Sequence, residues 1–255
     1  MMEELIYNIL DTYHEIFKIS PISVTIKFTE NIYKDAYELT PDCYKIDVKR
    51  KKLWIESLNG TVIVPEYVGE HFHILINKAY MESDSYSWVG TLCHELTHIY
   101  DYIDIANDLG SLRYRDYGLS RYSTMFELWT EFHARARGHY CFRKYAYKEY
   151  ISNSEVINSN ITSELPLQLN NCVTLYQSNK DKGTLYDQVY PMMQFLGRLY
   201  VWKKLYSDKY TAEVVHDILA GYKWVENLFY FFEENDEYDK VRQSFDQMEK
   251  IIELN

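Results

Sequence analysis

The spacing of apolar and polar positions predicts a mixed first part of the chain. Residues 2–18 carry apolar side chains at helical spacing, which predicts a first helix. Apolar and polar residues alternate over 23–28, and this period of two is typical of a strand. Two apolar runs within 52–64 flank an Asn-Gly pair, a dipeptide that favours a tight hairpin turn. The stretch "HFHILIN" at 71–77 predicts a further strand, which we expect to border a substrate cleft and to pair with an extended peptide.

The second part of the chain follows a helical pattern. A long helix is predicted to end near residue 107, and another is predicted over 125–149, with a loop at 108–122 between them. Residues 152–166 are polar and irregular, which indicates a lid or a linker. The remaining sequence is helical to its end, with Pro191 near the start or at a kink of one helix.

These elements predict an α+β fold in which a small mixed sheet precedes an all-helical region. We expect a core of residues 1–150, an irregular linker or lid of residues 151–183, and a helical region of residues 184–255 packed on the core. A chain of 255 residues can bury a substantial core without disulfides or structural metals. A metal site must therefore be argued from its own chemistry.

Composition and charge exclude several classes of partner. The net charge of −11 disfavours nucleic-acid binding, which needs a basic surface. The short basic run at 49–52 is interpreted as a solvated strand edge. The four cysteines show no metal-binding or redox spacing, and no apolar stretch is long enough to span a membrane. We therefore expect a cytoplasmic protein with free thiols and no nucleic-acid or membrane partner, and the sequence predicts no oligomeric state.

The stretch "TLCHELTHIYDYID" at 91–104 carries the clearest candidate chemistry. On a helix, His94 and His98 lie one turn apart on the same face, so both imidazoles can bind one ion. Glu95 is adjacent and can deprotonate a water beside that ion. This H-E-x-x-H pattern is typical of zinc sites in which two histidines bind the metal and the glutamate is the general base.

A catalytic zinc usually has a third protein ligand, and the predicted helix at 125–149 supplies candidates. Glu127 and Glu131 lie on one face of that helix. Thr124 and Glu127 match a capping box, which would turn the Glu127 side chain back to the backbone. That leaves Glu131 free to face the metal and makes it the favoured ligand, with Glu127 as the alternative. His133 and His139 are interpreted as surface or core histidines.

Two acidic residues after the motif offer further alternatives. Asp104 follows His98 by six positions, the spacing at which metzincin-type proteases place their third ligand. Those enzymes need a glycine midway to turn the chain, and here that position is Asp101, which favours continuation of the helix. Asp101 itself lies one turn after His98 and either orients a ligand imidazole or is a solvated acid.

"HELTHIYDY", followed 33 positions later by "ELWTEFHARA", resembles the gluzincin zinc metallopeptidases. The frame "ILIN…TLCHELTHIY" is similar to the minimal cores of ImmA/IrrE-like peptidases, and "EFHARA" is similar to the glutamate helix of the anthrax lethal factor protease domain. The resemblance covers about residues 60–145 and does not extend into 150–255. It implies a zincin-like metallopeptidase core within residues 1–150.

The resemblance also implies a ligand set and a reaction. Zn²⁺ would be held by His94, His98 and Glu131, and Glu95 would pass a water proton to the leaving amine of a peptide or protein substrate. The expected activity is that of an endopeptidase.

Gluzincins often stabilise the oxyanion with a tyrosine or histidine. Tyr122 is the predicted donor here, with Tyr117 in the same loop as the alternative. A different function class stays open, namely a non-catalytic zinc-binding or degenerate protease-fold protein that binds a regulatory partner. The intact Glu95 argues against it, because a purely structural metal site needs no general base.

Overall fold

The computed structural model describes residues 2–83, 86–146, 154–180, 183–219 and 221–253. Helices predominate, and three strands form a small mixed sheet, so the predicted α+β class is confirmed. The chain divides into two compact units. The first comprises residues 1–116 and 140–146, and the second comprises residues 117–139 and 147–255.

The first unit contains the sheet and the helix of the H-E-x-x-H motif. Its elements are α1 (Met2–Phe17), β1 (Val24–Thr29), α2 (Ile32–Leu39), α3 (Lys45–Arg50), α4 (Lys52–Glu56), β2 (Gly60–Ile63), β3 (Phe72–Asn77), α5 (Lys78–Ser83) and α6 (Ser87–Leu109). The helix predicted over 2–18 and the strands predicted over 23–28 and 71–77 are thus confirmed.

The sheet has the order β1-β3-β2, with β1 parallel and β2 antiparallel to the central strand β3. Val24 lies opposite Phe72 in the parallel pair, and Val62 lies opposite Ile74 in the antiparallel pair. The expectation that 71–77 pairs with an extended peptide is wrong, because β3 already has a neighbouring strand on both sides. Among the described strands, β1 and β2 form the edges.

Helix α6 packs in the core of the first unit on several faces. Its apolar residues Val89, Leu92, Leu96 and Ile99 are fully buried in one cluster that also contains side chains of α1 and β3. Gly110 ends the helix in the left-handed conformation at φ 59°, and its N–H bonds back to the last turn. The capping glycine explains why the helix extends two residues past the predicted end.

The hairpin predicted over 52–64 is wrong in its first half. Residues 52–56 form helix α4, in which Ile55 alone is buried while Leu53 and Trp54 are exposed. A short apolar run does not distinguish a strand from a helical turn by its period. Gly60 lies in β2, and a Cβ there would come within 2.5 Å of Thr91 Cγ2, so close packing accounts for this glycine.

Within its described residues the second unit contains helices and no strand. Helix α7 (Ser123–Ala146) begins in it and contributes residues 140–146 to the first unit. The later helices are α8 (Ser154–Ser159), α9 (Leu165–Asn179), α10 (Leu185–Leu205), α11 (Ala212–Leu219), α12 (Lys223–Glu234), α13 (Tyr238–Val241) and α14 (Phe245–Glu253).

The irregular stretch predicted over 152–166 is wrong where the structure describes it. Residues 154–159 form α8, and a π-helical turn at Asn160–Glu164 continues into α9. Asn160 is buried, and its side-chain oxygen accepts a hydrogen bond from Tyr210 Oη at 2.8 Å. The polar composition of residues 152–166 therefore does not indicate a lid, because the polar side chain of Asn160 forms its hydrogen bond inside the fold.

No helix in the described ranges is long and apolar enough to cross a membrane.

One buried hydrogen bond ties α1 to α6 directly behind the histidine motif. Tyr13 is fully buried, and its Oη lies 2.8 Å from Thr97 Oγ1. We expect Tyr13→Phe to lower the free energy of unfolding by about 1–2 kcal/mol, because the buried hydrogen bond between the two hydroxyls is lost, although Thr97 still donates to the Cys93 carbonyl oxygen. The exposed Tyr7 on the same helix gives the control Tyr7→Phe, which should leave stability unchanged. Urea unfolding measures both, and equal stabilities of the two variants would contradict the role of this bond.

Candidate metal centre

The two histidines of the motif converge at one point on α6. His94 Nε2 and His98 Nε2 are 3.0 Å apart, and their ring planes are nearly perpendicular. A tetrahedral zinc ion with Zn–N bonds of about 2.0–2.1 Å holds two nitrogens roughly 3.3 Å apart. The pair is therefore close to the geometry of two ligands on one metal, as the spacing of four residues predicted.

Glu95 faces the edge strand β2. It is buried, and its Oε2 accepts a hydrogen bond of 3.0 Å from the Val62 backbone N–H. That bond fixes the carboxylate beside β2, on the same helix as His94 and His98. A carboxylate held this way can accept a proton from a water or a substrate within its reach.

Helix α6 carries other residues that could be considered as metal ligands or as partners of the two histidines. Burial raises the pKa of the Cys93 thiol, which also contacts the Cys141 thiol, so it stays protonated and is a poor metal ligand. The helix continues past Asp101 to Leu109, and Asp104 is exposed, so the metzincin alternative is wrong. Asp101 is almost fully buried, which contradicts its reading as a solvated acid.

The histidines at the start of β3 take part in ordinary strand contacts. His71 Nε2 lies 2.7 Å from Thr25 Oγ1, and the His71 and His73 rings meet edge to face. Burial, with a smaller contribution from His71, lowers the pKa of His73. His133 is likewise a core residue, because its buried ring stacks on Trp129.

In the second unit, the Glu131 carboxylate accepts two hydrogen bonds from α10. Tyr186 Oη donates to Glu131 Oε1 at 2.9 Å, and Gln194 Nε2 donates to Glu131 Oε2 at 2.7 Å. Both donors are uncharged side chains. A ligand carboxylate is commonly oriented by such outer hydrogen bonds.

Arg135 determines which way the Gln194 amide points. Its Nε donates to the Gln194 side-chain oxygen, and because a guanidinium has no acceptor, that oxygen must face Arg135. The amide nitrogen is then left to donate to Glu131. The resulting chain from Arg135 through Gln194 to Glu131 returns to the same helix, since Glu131 and Arg135 are one turn apart on α7.

The capping box predicted for this helix is wrong. Helix α7 begins at Ser123, so Thr124 lies inside the first turn and is not the N-cap. Glu127 accepts a hydrogen bond from Tyr117 Oη at 3.2 Å. Its distinction from Glu131 thus comes from tertiary contacts: Glu127 binds a tyrosine of the preceding loop, and Glu131 binds the two donors of α10.

Tyr122, the predicted oxyanion donor, lies immediately before α7 among charged residues. The Arg121 guanidinium lies 4.5 Å from the centre of its ring, and the ring packs against Phe245. Partial burial and a hydrogen bond with Asp246 raise the pKa of Tyr122. Its catalytic role stays a prediction.

The predicted ligands are His94 and His98 of the first unit and Glu131 of the second. The donor set of two imidazoles and one carboxylate is one that zinc accepts in catalytic sites. No family model, curated protein or solved structure matches this chain.

Sequence reasoning missed the residues that hold Glu131. Tyr186 and Gln194 follow Glu131 by 55 and 63 positions, so no local spacing connects them. Sequence reasoning also missed Gly197, which allows α10 to approach α7 closely. A Cβ on Gly197 would lie 2.8 Å from both the Phe132 carbonyl oxygen and Arg135 Cβ. A glycine inside a long predicted helix was the one signal in the sequence, because it often marks such an approach.

We expect Gly197→Ala to lower the free energy of unfolding by about 1–3 kcal/mol, because the new methyl group meets the backbone of α7. Gly118→Ala is the control, since a Cβ there meets nothing within 4 Å, and its effect should stay below about 0.5 kcal/mol. Chemical denaturation followed by circular dichroism compares the two. A Gly197→Ala protein as stable as the control would show that α10 can move away without cost.

Proposed function

We propose that this chain is a zinc-dependent metallopeptidase of the gluzincin type. In this proposal His94, His98 and Glu131 hold one Zn²⁺ ion and Glu95 is the general base. The observation that carries the proposal is the 3.0 Å approach of the two imidazole nitrogens. Glu131 is proposed as the third ligand because its place after the H-E-x-x-H motif resembles that of the gluzincin glutamate.

The hydrogen bonds to Glu131 support the same assignment. The Glu131 carboxylate accepts from Tyr186 and Gln194, and outer hydrogen bonds of this kind commonly orient a ligand carboxylate.

When bound, zinc would lower the pKa of a coordinated water and polarise a carbonyl oxygen. Glu95 would accept the water proton and return it to the amine that leaves. Its hydrogen bond from the Val62 N–H keeps the carboxylate facing β2. Because β2 is an edge among the described strands, an extended peptide lying along it would pass beside Glu95. The proposed substrate is therefore a peptide or protein segment in extended conformation.

Two tyrosines are candidates for the hydrogen-bond donor that stabilises the oxyanion. Tyr122 was predicted from its place before the glutamate helix, but its hydroxyl interacts with Asp246. Tyr186 already donates to the proposed ligand Glu131. A phenol beside a metal ligand is close to where negative charge develops in peptide hydrolysis, which favours Tyr186.

Metal content tests the ligand set directly. We expect about one zinc per chain in the wild type, retained in Glu127→Ala and lost in Glu131→Ala, because catalytic zinc needs its third protein ligand. Elemental analysis after dialysis against a weak chelator gives the ratio. Glu127→Ala is the matched control, since it removes the same side chain one turn earlier on α7.

Circular dichroism should show that all three proteins remain folded. A wild-type protein without zinc after zinc has been supplied would contradict the metal centre. Equal zinc in the wild type and in Glu131→Ala would contradict Glu131 as a ligand.

The general base is tested separately from the metal. We expect Glu95→Gln to keep its zinc and to lower kcat/KM on a cleaved peptide by at least about a hundredfold, because general-base catalysis contributes about 10²–10⁴-fold. Cleavage of a quenched-fluorescent peptide library, with zinc content measured on the same sample, provides the readout. Full turnover by zinc-loaded Glu95→Gln would contradict this role and favour the non-catalytic alternative.

A further inference from the structure

The basic run that was interpreted as a solvated strand edge forms part of a patch on two short helices. Residues 49–52, Lys-Arg-Lys-Lys, are all exposed, and they end α3 and begin α4. Five basic and two acidic residues lie between positions 45 and 56, in a chain whose net charge is −11. We call the exposed basic and apolar side chains of residues 45–54 the basic patch.

Three large apolar side chains are exposed within the basic patch. Leu53 is 82% exposed, Ile46 58% and Trp54 53%. Ile46 lies three and four positions before Lys49 and Arg50, so it shares a face of α3 with them. The Lys51 ammonium lies 5.6 Å from the centre of the Trp54 ring, which joins the charged and apolar parts of α4.

The patch is anchored on the first unit. Ile55, directly after Trp54, is buried in a cluster with Ile32, Ile63 and Leu75. Neighbouring lysines lie over aromatic rings of α2: Lys49 is 5.3 Å from the Tyr37 ring centre and Lys52 is 5.3 Å from that of Tyr33. Leu53 and Trp54 are therefore exposed to solvent, whereas the next residue, Ile55, lies in the core.

Surface ion pairs neutralise only part of the charge. Lys45 pairs with Asp42 at 2.7 Å, Arg50 with Asp47 at 3.9 Å, and Lys52 with Glu56 at 3.7 Å. Such exposed pairs are weak and exchange readily with other anions. Within the part of the chain that the structure describes, Lys49 and Lys51 contact aromatic rings and make no ion pair.

We propose that the basic patch binds the surface of a membrane that contains anionic lipids. Clustered lysines and arginines are attracted to anionic headgroups. Exposed leucine, isoleucine and tryptophan side chains gain by entering the region between headgroups and acyl chains. A nucleic acid would satisfy the charges but offers no apolar phase for Leu53 and Ile46. Peripheral binding of this kind needs no membrane-spanning helix and does not rest on the metal centre.

Co-sedimentation with lipid vesicles tests the proposal on the whole chain of 255 residues. We expect binding to phosphatidylcholine vesicles to increase about tenfold or more when phosphatidylserine is included. High salt should weaken it, because salt screens charges at the surface. The tryptophan emission should shift to shorter wavelength on binding, and Trp54→Phe should remove most of that shift.

Two double variants separate charge from apolar insertion. Lys49→Glu/Lys51→Glu should abolish binding, and Leu53→Ser/Trp54→Ser should weaken it at least about tenfold, since each removes one part of the interaction. The matched control is Lys223→Glu/Lys250→Glu, which changes the net charge equally at exposed positions of the second unit. This control should bind like the wild type, and circular dichroism should show that every variant is folded.

Several results would overturn the proposal. One is equal binding to vesicles with and without anionic lipid, and another is equal loss of binding in the patch variant and the charge control. A third is that Leu53→Ser/Trp54→Ser binds vesicles like the wild type while a labelled DNA duplex or polyglutamate peptide competes fully. That last outcome would assign the basic patch to a nucleic acid or an acidic protein partner. Zinc content and peptidase activity are measured without vesicles, so their failure stays distinguishable from this one.

Discussion

The approach of the two imidazole nitrogens on α6 is the constraint on which the candidate site depends. His94 and His98 meet at 3.0 Å, and His98 is buried. His94 is half-buried, and two imidazole nitrogens this close fit either a hydrogen bond between the rings or a shared cation. A helix supplies this geometry without strain, because positions four apart lie on one face.

The rest of the first unit holds that helix in place from two sides. Tyr13 of α1 meets Thr97 on one side, and the Val62 N–H of β2 meets the Glu95 carboxylate on another. Gly60 allows β2 to lie against α6, since any side chain there would collide with Thr91. A site built on packed elements keeps its reactive groups within a narrow range of positions, which general-base chemistry requires.

In the second unit, hydrogen bonds from other side chains orient the Glu131 carboxylate. Glu131 is held by an amide and a phenol, and the amide is itself oriented by Arg135. The cation of this network thus bonds the amide oxygen, and the two donors from α10 that bond Glu131 are neutral. Hydrogen bonds of this kind orient a carboxylate that serves as a metal ligand.

The sequence by itself determined whatever depends on neighbours within one or two turns. The paired histidines, helix α1, strands β1 and β3 and the long helix α6 all follow from local periodicity, which the backbone geometry of each element enforces. Tertiary structure decided the rest. Residues 52–56 form a helix of which only Ile55 is buried, and its partners Ile32 and Leu75 are distant in sequence. Tyr186 and Gln194 meet Glu131 across the contact between α7 and α10, where Gly197 leaves room for the close approach, and such long-range contacts leave no period in the sequence.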